Sequence, residues 1–172
     1  MNVKSSRQKI QAADSNVPVI LVVEDDEDNL LFISHALILL GYNFVTATEG
    51  QAAFDLAVKY DIDLALVDLV LSDISGFELV NHLRQNNLTK KMPIIAVSAL
   101  VKQQYRDLAL ANGCDDYLSK PYLIEELKRK IERFLETKHN IRFRRAMKCS
   151  PPSSYSLLPT FLRFFGLVCS TV

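Results

Sequence analysis

The chain reads as an α/β protein, a doubly wound parallel sheet with helices on both faces. Two observations predict it. Short apolar runs alternate with helical patterns five times, the order that builds successive βαβ units. The runs are also nearly continuous in apolar character, as strands buried on both faces require. With 172 residues, 49% hydrophobic and 23% charged, the chain can bury one such core and carry an appendage.

The elements follow in order. Val19–Val23 predicts the first strand, and a helical pattern over about 28–40 follows it, stopped by Gly41. Tyr42–Ala47 predicts the second strand, and Gly50–Tyr60 a helix with Ala53, Phe54, Ala57 and Val58 inward. Leu64–Val67 is the third strand, ending at Asp68; a loop closing at Gly76 leads to a helix over Phe77–Arg84. Pro93 precedes the fourth strand, Ile94–Val97, which ends at Ser98. Lys102–Ala111 is the fourth helix, stopped at Asn112 and Gly113. Asp116–Ser119 is a short fifth strand, and after Lys120 and Pro121 a last helix is predicted over Leu123–Thr137.

The flanks differ from this body. Residues 1–16 are polar, lack an apolar signal-peptide core, and are expected to be flexible. Residues 1–138 hold all 20 acids but only 15 of the 20 Lys and Arg, a net charge of −5. Residues 139–172 carry Arg142, Arg144, Arg145, Lys148 and Arg163 with no acid, a net charge of +5. This tail is basic, then apolar from Leu157, and is expected to be poorly ordered. Pro159 and Arg163 interrupt its apolar stretch, which is too short to span a bilayer. An acidic body argues against direct nucleic-acid binding. Three widely spaced cysteines, Cys114, Cys149 and Cys169, fit a reducing compartment, and a cytoplasmic location is expected.

The carboxyl ends of parallel strands are where ligands bind in such folds. Glu24 and Asp25, Asp68, Ser98 and Lys120 all lie at or just past those ends, so they are expected to converge. Glu24 and Asp25 open a run of five acids continuing through Asp28. A hard cation such as Mg²⁺ would offset their repulsion, although acids also suit a solvated helix N-terminus. Such a cation would keep Asp68 ionised and nucleophilic, while Lys120 and Ser98 could meet the charge of a phosphoryl group. The set therefore suggests phosphoryl transfer to a carboxylate.

Residues 20–26 (ILVVEDD), 66–76 (LVDLVLSDISG), 95–99 (IAVSA) and 116–121 (DYLSKP), with the spacing from Asp68 to Ser98 to Lys120, resemble the receiver domain of two-component response regulators. The resemblance covers about 18–138, a receiver domain bounded at 17–138. It implies a flavodoxin-like (βα)5 three-layer sandwich with strand order 2-1-3-4-5. It implies Asp68 as phosphoacceptor from a sensor histidine kinase or phosphotransfer protein. Mg²⁺ (or Mn²⁺) would be held by Asp25, Asp68 and the Val70 carbonyl, with Glu24 helping through water. Ser98 is the implied switch hydroxyl, Ala99 its small neighbour giving the phosphoryl group access, and Lys120 the phosphate-pairing lysine before a cis proline. Tyr117 is the implied aromatic switch. The expected readout face is the fourth helix, fifth strand and fifth helix, with Tyr105, Tyr117 and Tyr122, binding a downstream protein or a second copy in a homodimer.

Some positions depart from the family's commonest pattern. Ser72 stands where proline often occurs, and Ser98 replaces a frequent threonine. Val70 and Leu100 are apolar where the family tunes water access, so slow self-dephosphorylation is expected. Only 34 residues (139–172) follow the predicted receiver domain, too few for an ordinary helix-turn-helix output domain, and a stand-alone receiver acting as a signalling module rather than an enzyme is expected. An aspartyl phosphatase would want a second acid at Val70, and a dinucleotide enzyme a glycine-rich turn where the acids stand. A phosphorylation-independent scaffold would not need Asp25, Asp68, Ser98 and Lys120 together.

Overall fold

The computed structural model of the chain describes residues 17–135. The expectations for residues 1–16, for the end of the last helix and for the 139–172 tail lie outside the described residues. Nine elements follow in strict alternation: β1 (Val19–Val23), α1 (Glu27–Leu39), β2 (Asn43–Ala47), α2 (Gly50–Lys59), β3 (Leu64–Val67), α3 (Gly76–Gln85), β4 (Ile94–Ser98), α4 (Gln103–Ala111) and β5 (Asp116–Ser119). A last helix, α5, runs over 124–135.

All strand pairs are parallel, in the order β2-β1-β3-β4-β5. The first crossover runs outward from β1 to β2, and the chain then returns past β1 to build β3 to β5. The strand order therefore reverses between β1 and β3, which leaves a crevice at their carboxyl ends.

Strand side chains alternate between two cores. Ile20, Val22, Leu64, Leu66, Ile95, Val97 and Leu118 pack against Ile33, Ala36 and Leu37 of α1 and Leu127, Ile131 and Leu135 of α5. Their neighbours Leu21, Val23, Ala65, Val67, Ile94, Ala96 and Tyr117 face Ala53 and Ala57 of α2, Leu79, Val80 and Leu83 of α3 and Ala109 of α4. A period of two with both faces apolar gives the unbroken apolar runs read in the sequence.

Local chemistry places the element ends within about a residue of expectation. α1 starts at Glu27 because the Asp26 side chain accepts the Asn29 amide at 2.8 Å. α3 starts at Gly76, capped by Ser75, whose hydroxyl accepts from Phe77 N–H at 3.3 Å. Gly41 and Gly113, both at positive φ, follow the C-caps of α1 and α4, at the stops read from the sequence. Arg84 of α3 ties the lower loops together, donating to the Gly113 carbonyl (2.8 Å), the Met92 carbonyl (2.6 Å) and Asp115 (2.7 Å).

One contrast tests the layering. Leu66 is 1% exposed at the sheet centre, whereas Leu39 of α1 is 77% exposed. Leu66→Ala is expected to cost about 2–5 kcal/mol in denaturant unfolding, from lost burial plus the cavity left behind. Leu39→Ala should stay within about 0.5 kcal/mol of the parent chain.

Candidate functional site

Three ladder hydrogen bonds carry the sheet one residue past its strands and deliver the polar side chains. Glu24 N–H donates to the Ala47 carbonyl (3.1 Å), Asp68 N–H to Val23 (3.0 Å) and Lys120 N–H to Ser98 (2.8 Å). Each polar residue therefore stands at the rim of the sheet while its backbone is still held by it.

Lys120 Nζ lies 2.6 Å from Glu24 Oε2 and 2.6 Å from Asp68 Oδ2. Both acids are buried, Glu24 at 3% and Asp68 at 6% exposure. The second Asp68 oxygen, Oδ1, accepts the Val70 amide at 2.8 Å. The second Glu24 oxygen accepts from the Asn29 side chain at 3.1 Å. Two buried carboxylates thus share one ammonium. Burial alone would lower the Lys120 pKa, but hydrogen bonds and attraction from Asp68 and Glu24 outweigh it, and the amine is held above its ordinary value. The surplus negative charge falls on Glu24: burial pushes its carboxyl up, and the pull of Lys120 does not bring it back.

A second group adjoins the first. Ser98 is fully buried at the end of β4, and its Oγ lies 3.5 Å from the Leu100 amide. The Tyr117 hydroxyl is turned inward, donates to the Leu100 carbonyl and is within hydrogen-bonding range of Ser98. Burial, followed by the charge of Asp68, raises the Tyr117 pKa. Lys120–Pro121 is the cis peptide expected. Ala99 is exposed at the rim, and Val70 is 54% exposed.

The acid run divides between the two roles open to it. Glu24 joins the site, Asp26 caps α1, and Glu27 and Asp28 are exposed in the first helical turn. Asp25 is half-buried, and its side chain makes no hydrogen bond or ion pair among the described residues. No group of three or more His, Cys, Asp or Glu side chains gathers to hold a metal ion among the described residues. The donors available are two carboxylates, Asp25 and Asp68, and the exposed Val70 carbonyl. That all-oxygen set of few protein ligands fits Mg²⁺, which keeps most of its coordination for water and substrate.

The three tyrosines of the expected readout face lie at different depths. Tyr117 is 6% exposed, beneath the surface rather than on it. Tyr122 packs with the α1–α5 core and meets Phe32 of α1 edge to face at 5.8 Å. Its phenol is pushed up to about 12 by burial, then by Glu24 and Asp68, which places it on the site side. Tyr105 on α4 is, like Tyr122, partly exposed. The sequence reading missed Asn29, whose only signal was a short amide directly after the acid run.

Comparison with known proteins agrees with this architecture. A response regulator receiver domain model matches residues 20–132. The chain is 32% identical over 121 residues to a probable cyclic di-GMP phosphodiesterase of Vibrio cholerae, covering 70% of this chain and 27% of that protein. It is 34% identical over 116 residues to the Escherichia coli transcriptional regulatory protein CusR, covering 67% and 50%. The chain thus spans about a quarter to a half of these relatives. Among solved structures, the receiver domain of a Pseudomonas aeruginosa sensor histidine kinase, with a magnesium ion coordinated in its active site cleft, superposes with a TM-score of 0.66 at 32% identity, covering 70% of this chain and 98% of that one. A Vibrio cholerae chemotaxis protein superposes at 0.65 with 27% identity, covering 69% and 98%. The fold is the α/β flavodoxin-like fold of receiver domains. The chain belongs to the response regulator receiver domain family.

The charge imbalance has a measurable consequence. An acid whose folded pKa lies above its unfolded value weakens the fold where it is ionised, and that cost is relieved as pH falls through the raised value. Glu24→Gln is therefore expected to raise the thermal midpoint at pH 7, with the gain shrinking on acidification. Lys120 acts in the opposite sense, stabilising the fold below its unfolded value near 10.5 and losing that effect as pH rises through its folded value. A pH series of melting curves checks both; a lower midpoint for Glu24→Gln at pH 7 contradicts the assignment of surplus charge to Glu24.

Proposed function

We propose that this receiver domain accepts a phosphoryl group on Asp68 from the phosphohistidine of a sensor histidine kinase or phosphotransfer protein. The observation that carries the reading is the position of Asp68: buried, at the carboxyl end of β3, with one oxygen on Lys120 and the other on the Val70 amide. An Asp68 oxygen attacks phosphorus, the P–N bond to the donor imidazole breaks, and an acyl phosphate forms. Positioning and charge neutralisation supply the catalysis.

Asp25, Asp68 and the Val70 carbonyl would hold Mg²⁺, with Glu24 through water. When bound, the cation supplies charge neutralisation to the transferring phosphoryl group. Lys120 remains charged and moves its hydrogen bonds onto the new phosphoryl oxygens. Ser98 is the hydroxyl that meets the phosphoryl group, and Tyr117 is the switch coupled to it through their shared contact with Leu100. Ala99, with no bulk beyond Cβ, leaves the phosphoryl group access.

Phosphorylation then biases a two-state equilibrium toward the conformer in which Ser98 and Tyr117 are both engaged. The α4–β5–α5 face presents that state to a downstream protein or to a second copy. The module acts in the cytoplasm and catalyses no reaction but its own phosphorylation and slow dephosphorylation. Among the described residues, no helix is long and apolar enough to cross a membrane.

The test uses the full chain with Mg²⁺ and acetyl phosphate, read by intact mass. One phosphoryl group on the parent chain and none on Asp68→Asn is expected; an unlabelled parent, or a labelled Asp68→Asn, refutes the reading. With apolar Val70 and Leu100 flanking the site, the label should persist for minutes or longer after donor removal. A lifetime of seconds would contradict slow hydrolysis.

A further inference from the structure

The loop from β3 to α3 is fastened at a point that neither the metal set nor the switch explains. Leu69, Leu71 and Ile74 turn inward onto the α2–α3–α4 core, while Ser72 and Asp73 are exposed. Asp73 is nevertheless engaged with both oxygens. Its Oδ1 accepts the Gly50 amide at 3.0 Å and its Oδ2 the Gln51 amide at 3.3 Å. These are the first two amides of α2, whose own N-cap residue, Glu49, makes no side-chain capping bond. A carboxylate from another loop thus satisfies donors the helix leaves unpaired, at the positive end of its dipole.

Two close approaches enforce the same fastening. A Cβ on Gly50 would come within 2.4 Å of Ile74 Cγ1, so α2 seats directly on the residue after Asp73. A Cβ on Gly76 would come within 2.1 Å of the Asp68 carbonyl oxygen, so the far end of the loop closes on the phosphoacceptor itself. Between the two anchors lies the Val70 peptide, whose N–H donates to Asp68 Oδ1. Ser72 leaves that span without the fixed φ a proline would give.

We propose that Asp73 is a positioning residue for the Asp68 site: its two-oxygen cap on α2 fixes the loop that presents the Val70 peptide. The inference rests on the receiver reading of Asp68 and Val70. Its effect on the site is indirect, because Asp73 holds the helix and the helix holds the loop. The cap is ionic at one end only, so an amide of the same shape should keep part of it.

The experiment follows the full chain by amide NMR while titrating Mg²⁺ alone, for the parent, Asp73→Ala and Asp73→Asn. For Asp73→Ala, faster exchange at Gly50 and Gln51 is expected, with Mg²⁺ affinity lowered on the order of tenfold and a smaller Mg²⁺-induced shift at Val70. Asp73→Asn, which keeps one acceptor oxygen, should fall between, and it decides the matter if Asp73→Ala does not fold. Faster exchange at Gly50 and Gln51 with parental Mg²⁺ affinity and a parental Val70 shift would reduce Asp73 to a local helix cap and overturn the proposal. A parent that binds Mg²⁺ but takes no phosphoryl group contradicts the proposed function and leaves this result standing. A parent that binds no Mg²⁺ overturns both.

Discussion

One ammonium between two buried carboxylates is the constraint around which this end of the molecule is arranged. Lys120 reaches Glu24 and Asp68 from a different strand end, and no second cation among the described residues shares the load there. A site with two negative charges and one positive is unfinished electrostatically. Asn29 and the Val70 amide soften the imbalance with neutral hydrogen bonds but do not cancel it. Removing the imbalance takes a proton on Glu24 or a cation beside it, and the side chain of Asp25 is uncommitted. A centre left charged in this way is one that a hard cation would neutralise.

The parallel sheet makes this possible by separating the work of its two ends. The interiors of β1, β3 and β4 are apolar on both faces, so the polar residues of the site stand at or just past the strand ends. Because β1, β3, β4 and β5 all point the same way, those residues meet at a single rim. The opposite end is tied by Arg84 and Asp115, whose hydrogen bonds run to loop carbonyls and to the first amide of β4. Rigidity at the lower end and uncancelled charge at the upper end come from the same topology. α1 carries exposed Leu31, Phe32, Ile38 and Leu39, which the sheet does not require.

This separation explains what could be read from the sequence. Strands and helices were legible because burial on two faces leaves apolar runs, and Asp68, Ser98 and Lys120 were legible because each interrupts such a run at its end. The acid run was only half legible. Its five residues look alike in sequence, yet backbone geometry sends Glu24 into the site, Asp26 to the helix cap, and Glu27 and Asp28 to solvent. Asn29, Asp73 and Tyr122 were not legible as neighbours of the site, because their roles depend on where side chains point across loops. Tyr117 belongs to the same class: alternation along β5 assigns its face, but its depth depends on the space left by Ser98 and Leu100.

Ser98 and Tyr117 meet beside Leu100. Ser98 carries no γ-methyl and is fully buried at the end of β4. Tyr117 places its hydroxyl on the Leu100 carbonyl and beside Ser98. A phosphoryl group on Asp68 would replace one negative charge with roughly −1.5 to −2 and supply strong acceptor oxygens, as other side-chain phosphates do. Ser98 is the buried hydroxyl able to turn from its Tyr117 contact toward such an acceptor. Its 3.5 Å contact with the Leu100 amide is too long to hold it back. If Ser98 turns, the phenol keeps the Leu100 carbonyl as partner, so the inward rotamer survives loss of the serine contact. Under the proposed phosphorylation of Asp68, the serine, with the weaker tether, would be the part that turns, and the tyrosine would stay inward on the Leu100 carbonyl.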